Sequence, residues 1–236
     1  MQEKIIGILG GMGPEATCEV FRRIIKYTKV EIDAEHIRVI IDSNPKIPDR
    51  TKAIVGEGAS PVNEMIATAK NLQKAGADFL IIPCMTAHFF IKEIERAIDI
   101  PIINGLVQTN KYIDNTYPAM KKIGLLATSG TISTKLFQDA MENKKIIIPD
   151  KELQEKVVMD TIYGVNGIKV GNTSYQVVER FCKVIEALKK EGAEGIIAGC
   201  TEVGLVLSAK DMDIPLIDPL TVLAKTAVAL AKNLEN

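Results

Sequence analysis

Two parts of this chain repeat the same sequence pattern, and the repeat restricts the fold more than any other feature. The segment 190–200 matches 74–84 at five of eleven positions, including a glycine, an alanine and a final cysteine. Two further pairs of segments match in the same order and about 115 residues apart, namely 122–131 with 4–14 and 214–217 with 100–103. Three matches at a nearly constant separation predict a duplicated structural unit.

Each repeat has the alternating pattern of an α/β protein. Apolar runs such as 79–82 alternate with amphipathic stretches such as 61–75, and this order favours a parallel sheet covered by helices. We therefore predict two similar lobes related by a pseudo-twofold axis, with the functional site in the cleft between them. The first lobe is predicted to comprise residues 1–104 plus 215–236, with the final helix 220–234 packing back onto it, and the second lobe 105–214.

Charge and cysteine usage exclude several classes of function. The 236-residue chain has 29 basic and 30 acidic residues, so we expect neither nucleic acid nor a membrane surface as a partner. Its N-terminal apolar run is too short for a signal peptide, which predicts a cytoplasmic protein. The four cysteines show no metal-binding spacing, so we expect free thiols and no metal site.

Two of these cysteines stand at equivalent places in the repeat. An apolar strand ends at Pro83 and delivers Cys84, with a helix predicted over 86–97, and a second apolar strand delivers Cys200. Open α/β sheets bind ligands at strand carboxyl ends, and a helix N-terminus favours the thiolate. The alternative is that each cysteine is a small buried apolar residue. The threonines that follow, Thr86 and Thr201, could hold a substrate carboxylate, cap a helix, or do both.

Thiols on two facing walls of a cleft suit a reaction that needs an acid and a base on opposite faces of one carbon. In racemisation, one thiolate removes the α-proton and the other thiol returns a proton from the opposite face. A free thiol has a pKa of about 8.5, so both protonation states are accessible near neutral pH. A protein that only binds a small dicarboxylate remains an alternative, although binding alone requires neither cysteine.

Two loops contain further candidate residues. The glycine-rich turn at 7–13 lacks the spacing of a dinucleotide fingerprint, but its backbone could approach an anionic ligand closely at a helix N-terminus. Arg50 lies in a predicted loop beside Pro48 and Asp49. It is either a solvated surface residue or a rigidly held partner for a carboxylate.

Five motifs resemble those of the cofactor-independent Asp/Glu/hydantoin racemase superfamily, and of its aspartate racemase branch in particular. They are Gly-Gly-Met-Gly-Pro at 10–14, Pro-Asp-Arg-Thr at 48–51, Pro-Cys-Met-Thr-Ala-His at 83–88, Ala-Thr-Ser-Gly-Thr at 127–131 and Gly-Cys-Thr-Glu at 199–202. The resemblance runs nearly end to end. It implies a homodimeric enzyme that interconverts L- and D-aspartate without pyridoxal phosphate or any other cofactor.

The resemblance also implies roles for individual residues. Cys84 and Cys200 would exchange the α-proton. Arg50 and Lys169 would hold the distal carboxylate of a dicarboxylic substrate. The other implied site residues are Met12, Gly13, Thr86, Thr128, Thr131 and Thr201, which would bind the α-carboxylate and line the pocket, and His88 and Glu202, which would tune the thiols or orient the amino group.

The motif around the first cysteine departs from the family pattern at one position. Family members usually have asparagine between this cysteine and the threonine, where the present chain has Met85. Met85 is therefore also a candidate residue of the substrate pocket. A thioether donates no hydrogen bond, so an expected contact to the substrate is lost. Glutamate or broad-specificity racemisation, maleate isomerisation and hydantoin racemisation are therefore alternatives, although the pair Arg50 and Lys169 favours a dicarboxylic substrate.

Overall fold

The computed structural model describes residues 3–234, which divide into two compact units. The first contains residues 3–108 with 220–234, and the second contains residues 109–219. Within the described residues each unit has one four-stranded parallel sheet with helices, which confirms the predicted α/β fold. These limits lie within a few residues of the predicted domains, of which residues 1, 2, 235 and 236 lie outside the described part.

The sheet of the first unit has four parallel strands, with β1 and β3 in the inner positions. Its strands lie in the order β2-β1-β3-β4, where β1 is Ile6–Gly10, β2 is Val39–Ser43, β3 is Phe79–Ile81 and β4 is Ile102–Ile103. Its helices are α1 (Pro14–Tyr27), α2 (Arg50–Ile54), α3 (Val62–Lys74) and α4 (Ile91–Glu95), with short 3₁₀ turns at Asp33–Glu35 and Thr86–Phe90. Helix α5 (Gly105–Thr116) begins in this unit and continues into the second.

The second unit repeats this topology. Its strands lie in the order β6-β5-β7-β8, where β5 is Lys122–Leu126, β6 is Lys145–Ile147, β7 is Ile196–Ala198 and β8 is Leu216–Ile217. The helices are α6 (Ser129–Ser133), α7 (Leu136–Ala140), α8 (Lys151–Leu153), α9 (Asp160–Tyr163), α10 (Tyr175–Lys190) and α11 (Thr201–Val206), with a π-helical turn at Gln154–Met159 and 3₁₀ turns at Ile168–Val170 and Ala209–Asp211. The last helix, α12 (Pro219–Ala231), belongs almost entirely to the first unit, where Lys4 N–H donates to Ala231 O at 2.9 Å.

Strand register shows that the predicted duplication extends to individual contacts. Gly7 of β1 is paired with Leu80 of β3, and Gly124 of β5 is paired with Ile196 of β7. A Cβ on Gly7 would lie 2.4 Å from a Leu80 methyl group, and one on Gly124 would lie 2.6 Å from an Ile196 methyl group. Both glycines are therefore required, because in each unit the side chain of the paired residue on the neighbouring strand leaves no room for a Cβ atom.

Each sheet has its own apolar core. In the first unit the core includes Leu9, Leu72, Leu80 and Ile94, and in the second it includes Leu126, Phe181, Val184 and Ile196, all less than 2% exposed. The amphipathic periodicity of α3 predicted its buried face correctly at Met65, Ala69 and Leu72. No helix among the described residues is long and apolar enough to cross a bilayer.

Candidate active site

The glycine-rich turn after β1 packs against the protein itself. Gly11 has a φ of +91°, and a Cβ there would lie 2.3 Å from the backbone carbon of Asn44. Its N–H donates to the Thr17 hydroxyl at 2.9 Å, and that hydroxyl donates to Gly13 O at 3.0 Å. The close approach that the sequence suggested for a ligand is thus made at Gly11 by the loop after β2. Gly13 directly precedes α1, as the N-terminal capping position.

Arg50 is buried at the carboxyl ends of the central strands. It is the first residue of α2 and only 8% exposed, so the predicted loop position and the solvated alternative are both wrong. Its Nη1 donates to Ile47 O at 3.2 Å and Pro48 O at 2.9 Å, and its Nη2 lies 3.4 Å from Met12 O. The guanidinium is therefore held in one orientation beside Met12, which is itself buried.

Cys84 follows β3 and is 7% exposed. The helix predicted over 86–97 is instead a 3₁₀ turn, Thr86–Phe90, followed by the short α4. The helix-dipole argument for Cys84 therefore loses its basis, because α-helical structure begins only at Ile91. The carbonyl oxygen of Cys84 accepts hydrogen bonds from Ala87 N–H at 3.2 Å and from the ring of His88.

His88 holds the backbone of Cys84 in place. Gly105 N–H donates to Nε2 at 2.9 Å, so Nε2 carries a lone pair and the ring proton is on Nδ1. Nδ1–H in turn donates to Cys84 O at 3.0 Å. Both ring nitrogens are thus bonded to backbone groups, and the expected direct tuning of the thiol by His88 is wrong. The residue positions the cysteine through its main chain.

This arrangement makes His88 a source of pH-dependent stability. Burial lowers the pKa of His88 from 6.5 to about 4, because the imidazolium would lose its hydration. Between these values the unfolded chain binds a proton that the folded chain does not, so stability is full above pH 6.5 and falls as the pH approaches 4. We expect a loss of about 3 kcal/mol, since one pKa unit corresponds to about 1.4 kcal/mol.

Urea unfolding of wild type and His88→Gln between pH 4.5 and 7.5 measures this pH-dependent contribution of His88 to the free energy of unfolding. The difference in free energy of unfolding between the two proteins should shrink as the pH falls. His36→Gln, at the half-buried second histidine of the chain, is the matched control and should keep the wild-type slope. A constant difference between wild type and His88→Gln would contradict the assignment.

Met85 and Thr86 follow Cys84 and are both buried. Met85 is 1% exposed, and its Sδ and Cε would lie 3.2 and 3.0 Å from a Cβ on Gly105. Its thioether therefore packs at the start of α5, and its predicted place in the pocket wall stays a prediction. Thr86 is the first residue of the 3₁₀ turn, preceded by Met85 in the capping position, so it is not the cap that the alternative required.

In the second unit, Thr128 and Thr131 meet at the end of β5. Thr128 caps α6 by accepting from Thr131 N–H at 3.3 Å, and the two hydroxyl oxygens lie 3.2 Å apart. Both side chains are buried. The structure thus brings together the two threonines that the sequence suggested for the substrate's α-carboxylate.

Cys200, Glu202 and Lys169 form one contiguous chain of contacts. Cys200 directly precedes α11, and its thiol donates to Glu202 Oε2 at 2.9 Å. Glu202 Oε1 accepts from Lys169 Nζ at 2.5 Å. Thr201 also donates to Glu202 Oε2, at 3.0 Å, and is the first helical residue, so the capping alternative fails here too. Lys169, which has no distinguishing feature in the sequence, is ion-paired with its side chain only 23% exposed.

The charges of this chain of contacts reinforce one another. Burial alone would raise the pKa of Glu202, but the Lys169 ammonium and the hydrogen bonds from Cys200 and Lys169 lower it overall. Burial would likewise lower the pKa of Lys169, and the Glu202 carboxylate raises it overall. Glu202 is therefore a carboxylate and Lys169 an ammonium at neutral pH, and the proton between Cys200 and Glu202 lies on sulfur.

Three further residues near the predicted ones carried no signal in the sequence. Gly105 bonds His88, Gln154 bonds the end of β5, and the ring of Tyr163 lies 5.2 Å from Lys169 Nζ. Each of these contacts joins segments whose proximity only the fold determines. Within residues 3–234, no group of three or more His, Cys, Asp or Glu side chains could hold a metal ion.

The two parallel-sheet units share one topology, and each has a buried cysteine after its third strand, as the resemblance to the racemase superfamily implied. Comparisons with known proteins agree. The profile described as Asp/Glu/Hydantoin racemase matches residues 9–227. The chain belongs to this family, and it is accordingly a racemase.

Individual relatives extend over nearly the whole chain. It is 29% identical to the broad specificity amino-acid racemase RacX of Bacillus subtilis over 95% of its length and 97% of the relative's. It superposes on Picrophilus torridus aspartate racemase with a TM-score of 0.85 at 29% identity, covering 97% of this chain and 94% of the other. Glutamate racemase of Francisella tularensis, in complex with D-glutamate, shares the fold at a TM-score of 0.67 and 20% identity, covering 100% and 84%.

Proposed function

We propose that this racemase interconverts the enantiomers of an acidic amino acid, with aspartate as the first candidate, by a two-base mechanism that uses Cys84 and Cys200 and needs no pyridoxal phosphate. The observation that carries the proposal is the hydrogen-bonded chain Lys169–Glu202–Cys200. A cysteine that only fills space does not require a buried carboxylate fixed against its sulfur. Burying that carboxylate is costly unless it is paired, and here Lys169 pairs it.

The protonation states of Lys169, Glu202 and Cys200 suggest which cysteine acts as the acid and which as the base. Because Cys200 keeps its proton and donates a hydrogen bond to Glu202, it begins a turnover as the acid, and Cys84 takes the role of the base. Cys84 removes the α-proton and becomes a thiol, leaving a carbanion on the substrate. The carbanion takes the proton of Cys200 on its other face, which leaves Cys200 as a thiolate. The next turnover, starting from the product enantiomer, runs in the opposite direction.

Charge complementarity supports a dicarboxylic substrate. Arg50, held by main-chain carbonyls, and Lys169 are the candidates for the distal carboxylate. For Lys169 this role requires sharing its three donors between Glu202 and the substrate. Thr86, Thr128, Thr131 and Thr201 are the candidates for the α-carboxylate.

A broader substrate range is the second candidate. It is favoured by the relative RacX, which is a broad specificity racemase, and by Met85, which offers no hydrogen bond where the family usually has an amide. Glutamate racemisation, maleate isomerisation, hydantoin racemisation and binding without chemistry are the remaining alternatives. A homodimer in the cytoplasm stays a prediction, and size-exclusion chromatography with light scattering tests its oligomeric part.

Incubation in deuterated water tests the proposal directly. Purified protein with L-aspartate should produce D-aspartate that carries α-deuterium, without added pyridoxal phosphate and after dialysis against EDTA. Parallel assays distinguish aspartate-specific racemisation from the other candidate activities. Their substrates are L-glutamate, L-alanine, maleate and a substituted hydantoin. The matched control is the Cys84→Ala/Cys200→Ala variant. Binding of aspartate without any α-deuterium would favour the non-catalytic alternative.

A further inference from the structure

Gln154 lies at the end of the central strand of the second unit. It is 6% exposed and begins the π-helical turn Gln154–Met159, a form of helix often found at functional sites. Its Nε2 donates to Ala127 O at 3.0 Å and to Ser129 Oγ at 3.2 Å. Cys200 N–H donates at 3.1 Å to the carbonyl of Leu126, the residue before Ala127. Gln154 and Cys200 are thus bonded to consecutive carbonyls of one strand end.

These contacts fix the orientation of the amide. A carbonyl oxygen only accepts hydrogen bonds, so the group that faces Ala127 O has to be the NH₂ group. The Oε1 atom is therefore turned the other way. It is buried, and among residues 3–234 no donor lies within hydrogen-bond distance of it. A buried acceptor in this state is uncommon in native proteins, and this one lies at the carboxyl end of a parallel strand, where open α/β sheets bind their ligands.

Gln154 and Arg50 both come after the edge strand of their unit, β6 and β2 respectively. Gly7 is in register with Ile40 of β2, and Gly124 is in register with Ile147 of β6. In both units the segment after this edge strand returns to the end of the neighbouring strand. In the first unit it sends Arg50 back to the main chain after β1, and in the second it sends Gln154 back to the main chain after β5. A permanent cation in one repeat is replaced in the other by a neutral side chain with an available acceptor.

We propose that Gln154 Oε1 accepts a hydrogen bond from the α-ammonium group of the substrate and so selects amino acids over carboxylic acids that lack the amine. The inference rests on the proposed function. At neutral pH the α-ammonium is the only group of a dicarboxylic amino acid that carries hydrogen-bond donors.

Comparing aspartate with succinate tests this role, because succinate has both carboxylates but no amine. Gln154→Met keeps the length of the side chain and removes the acceptor. It should lower kcat/KM for aspartate by about 10- to 100-fold, the value of a hydrogen bond to a charged group, and leave the inhibition constant of succinate within about twofold. Gln154→Glu, which keeps an acceptor, is the second variant if methionine prevents folding, and it should retain the preference for the amine.

Gln138→Met is the matched control, since Gln138 on α7 also has a buried Oε1 without a donor among the described residues. It should leave both ligands unaffected. Equal weakening of aspartate and succinate by Gln154→Met would show that Gln154 only supports the turn and would overturn the proposal. Absence of racemisation by the wild type would instead refute the proposed function, and calorimetric binding of the two ligands would then still decide the role of Gln154.

Discussion

Alanine at either Cys84 or Cys200 is expected to lower racemisation of aspartate by about 10³-fold or more, because each substitution removes a proton-transfer group that the other cannot replace. The two thiols are not interchangeable. Cys200 is bonded to the carboxylate of Glu202, whereas the contacts that fix Cys84 are made through its carbonyl oxygen to Ala87 and His88. The loss should appear in kcat, measured by circular dichroism at saturating substrate, with the thermal midpoint of the variants close to that of the wild type.

The chain contains two matched controls for this experiment. Cys18 lies exposed on α1, and Cys182 lies half-buried on α10. Burial raises the pKa of the Cys182 thiol, as do Asp211 and two glutamates near it, so it is a weak nucleophile at neutral pH. Alanine at Cys18 or Cys182 should therefore leave racemisation unchanged.

The single variants also separate the two half-reactions. A variant that retains one base should still remove the α-proton from one enantiomer, which can be followed as chloride release from D- or L-3-chloroalanine. The Cys84→Ala and Cys200→Ala variants should prefer opposite enantiomers. Near-normal racemisation by either variant, or the same enantiomer preference in both, would contradict the two-base assignment.

The repeat made the architecture predictable, and local periodicity made most elements predictable. Glycines, strand ends and an Ile-Pro-x-Ile pattern recur at a nearly constant separation, and the observed strand orders of the two units are the same. The helix predicted over 86–97 was wrong because a continuous apolar stretch does not distinguish a 3₁₀ turn from the first turn of an α-helix. Strand β2 ends in Asp42 and Ser43, whose polar side chains give no strand signal in the sequence.

The sequence identified the residues of the candidate site better than it identified the contacts between them. The resemblance named Lys169 and Glu202, but nothing in their neighbouring residues indicated that they form an ion pair across 33 positions. His88 was expected to tune a thiol or orient the amino group, and in the structure both of its nitrogens bond backbone groups because Gly105 is brought beside it by β4 and α5. Such contacts depend on tertiary proximity, which short motifs do not encode.

Glu202→Gln is expected to produce the largest combined loss of stability and activity outside the cysteines. The carboxylate accepts hydrogen bonds from Lys169 on one oxygen and from Cys200 and Thr201 on the other. An amide has one acceptor oxygen and one NH₂ group, so it cannot accept from Lys169 and from Cys200 and Thr201 at the same time. With its oxygen towards Lys169 the thiol of Cys200 loses its acceptor, and with its NH₂ group towards Lys169 two donors face each other. Lys169 also loses the charge that compensates its burial.

Breaking a buried ion pair costs about 3 to 5 kcal/mol. Because Lys169 is partly exposed, we expect a smaller loss of about 2 kcal/mol in the free energy of unfolding at pH 7. The folded pKa of Glu202 is lowered, so its contribution is complete above the ordinary pKa of 4.5 and is lost as the pH falls through the lower folded value. The difference between wild type and variant should therefore narrow below pH 4.5.

A double-mutant cycle with Lys169→Met separates the interaction energy between Lys169 and Glu202 from the contribution that each residue makes by itself. If Lys169 and Glu202 stabilise each other, the double variant should be less destabilised than the sum of the single variants. Asp213→Asn, which breaks an exposed pair with Lys189 in the same unit, is the matched control and should leave the thermal midpoint unchanged. Additive losses in the cycle would mean that the two residues act independently of each other.

Activity measurements then show whether Glu202 affects the chemistry of Cys200 or contributes only to the stability of the fold. With the thiol no longer held by a carboxylate, Glu202→Gln should lower kcat by about 10²-fold and shift the pH–rate profile, whereas Glu202→Asp, which keeps the charge, should recover part of the rate without a shift. A role confined to stability would lower the thermal midpoint and leave the profile of the folded enzyme unchanged. The profile, measured well below the midpoint of each variant, therefore decides whether the buried carboxylate controls the proton on Cys200.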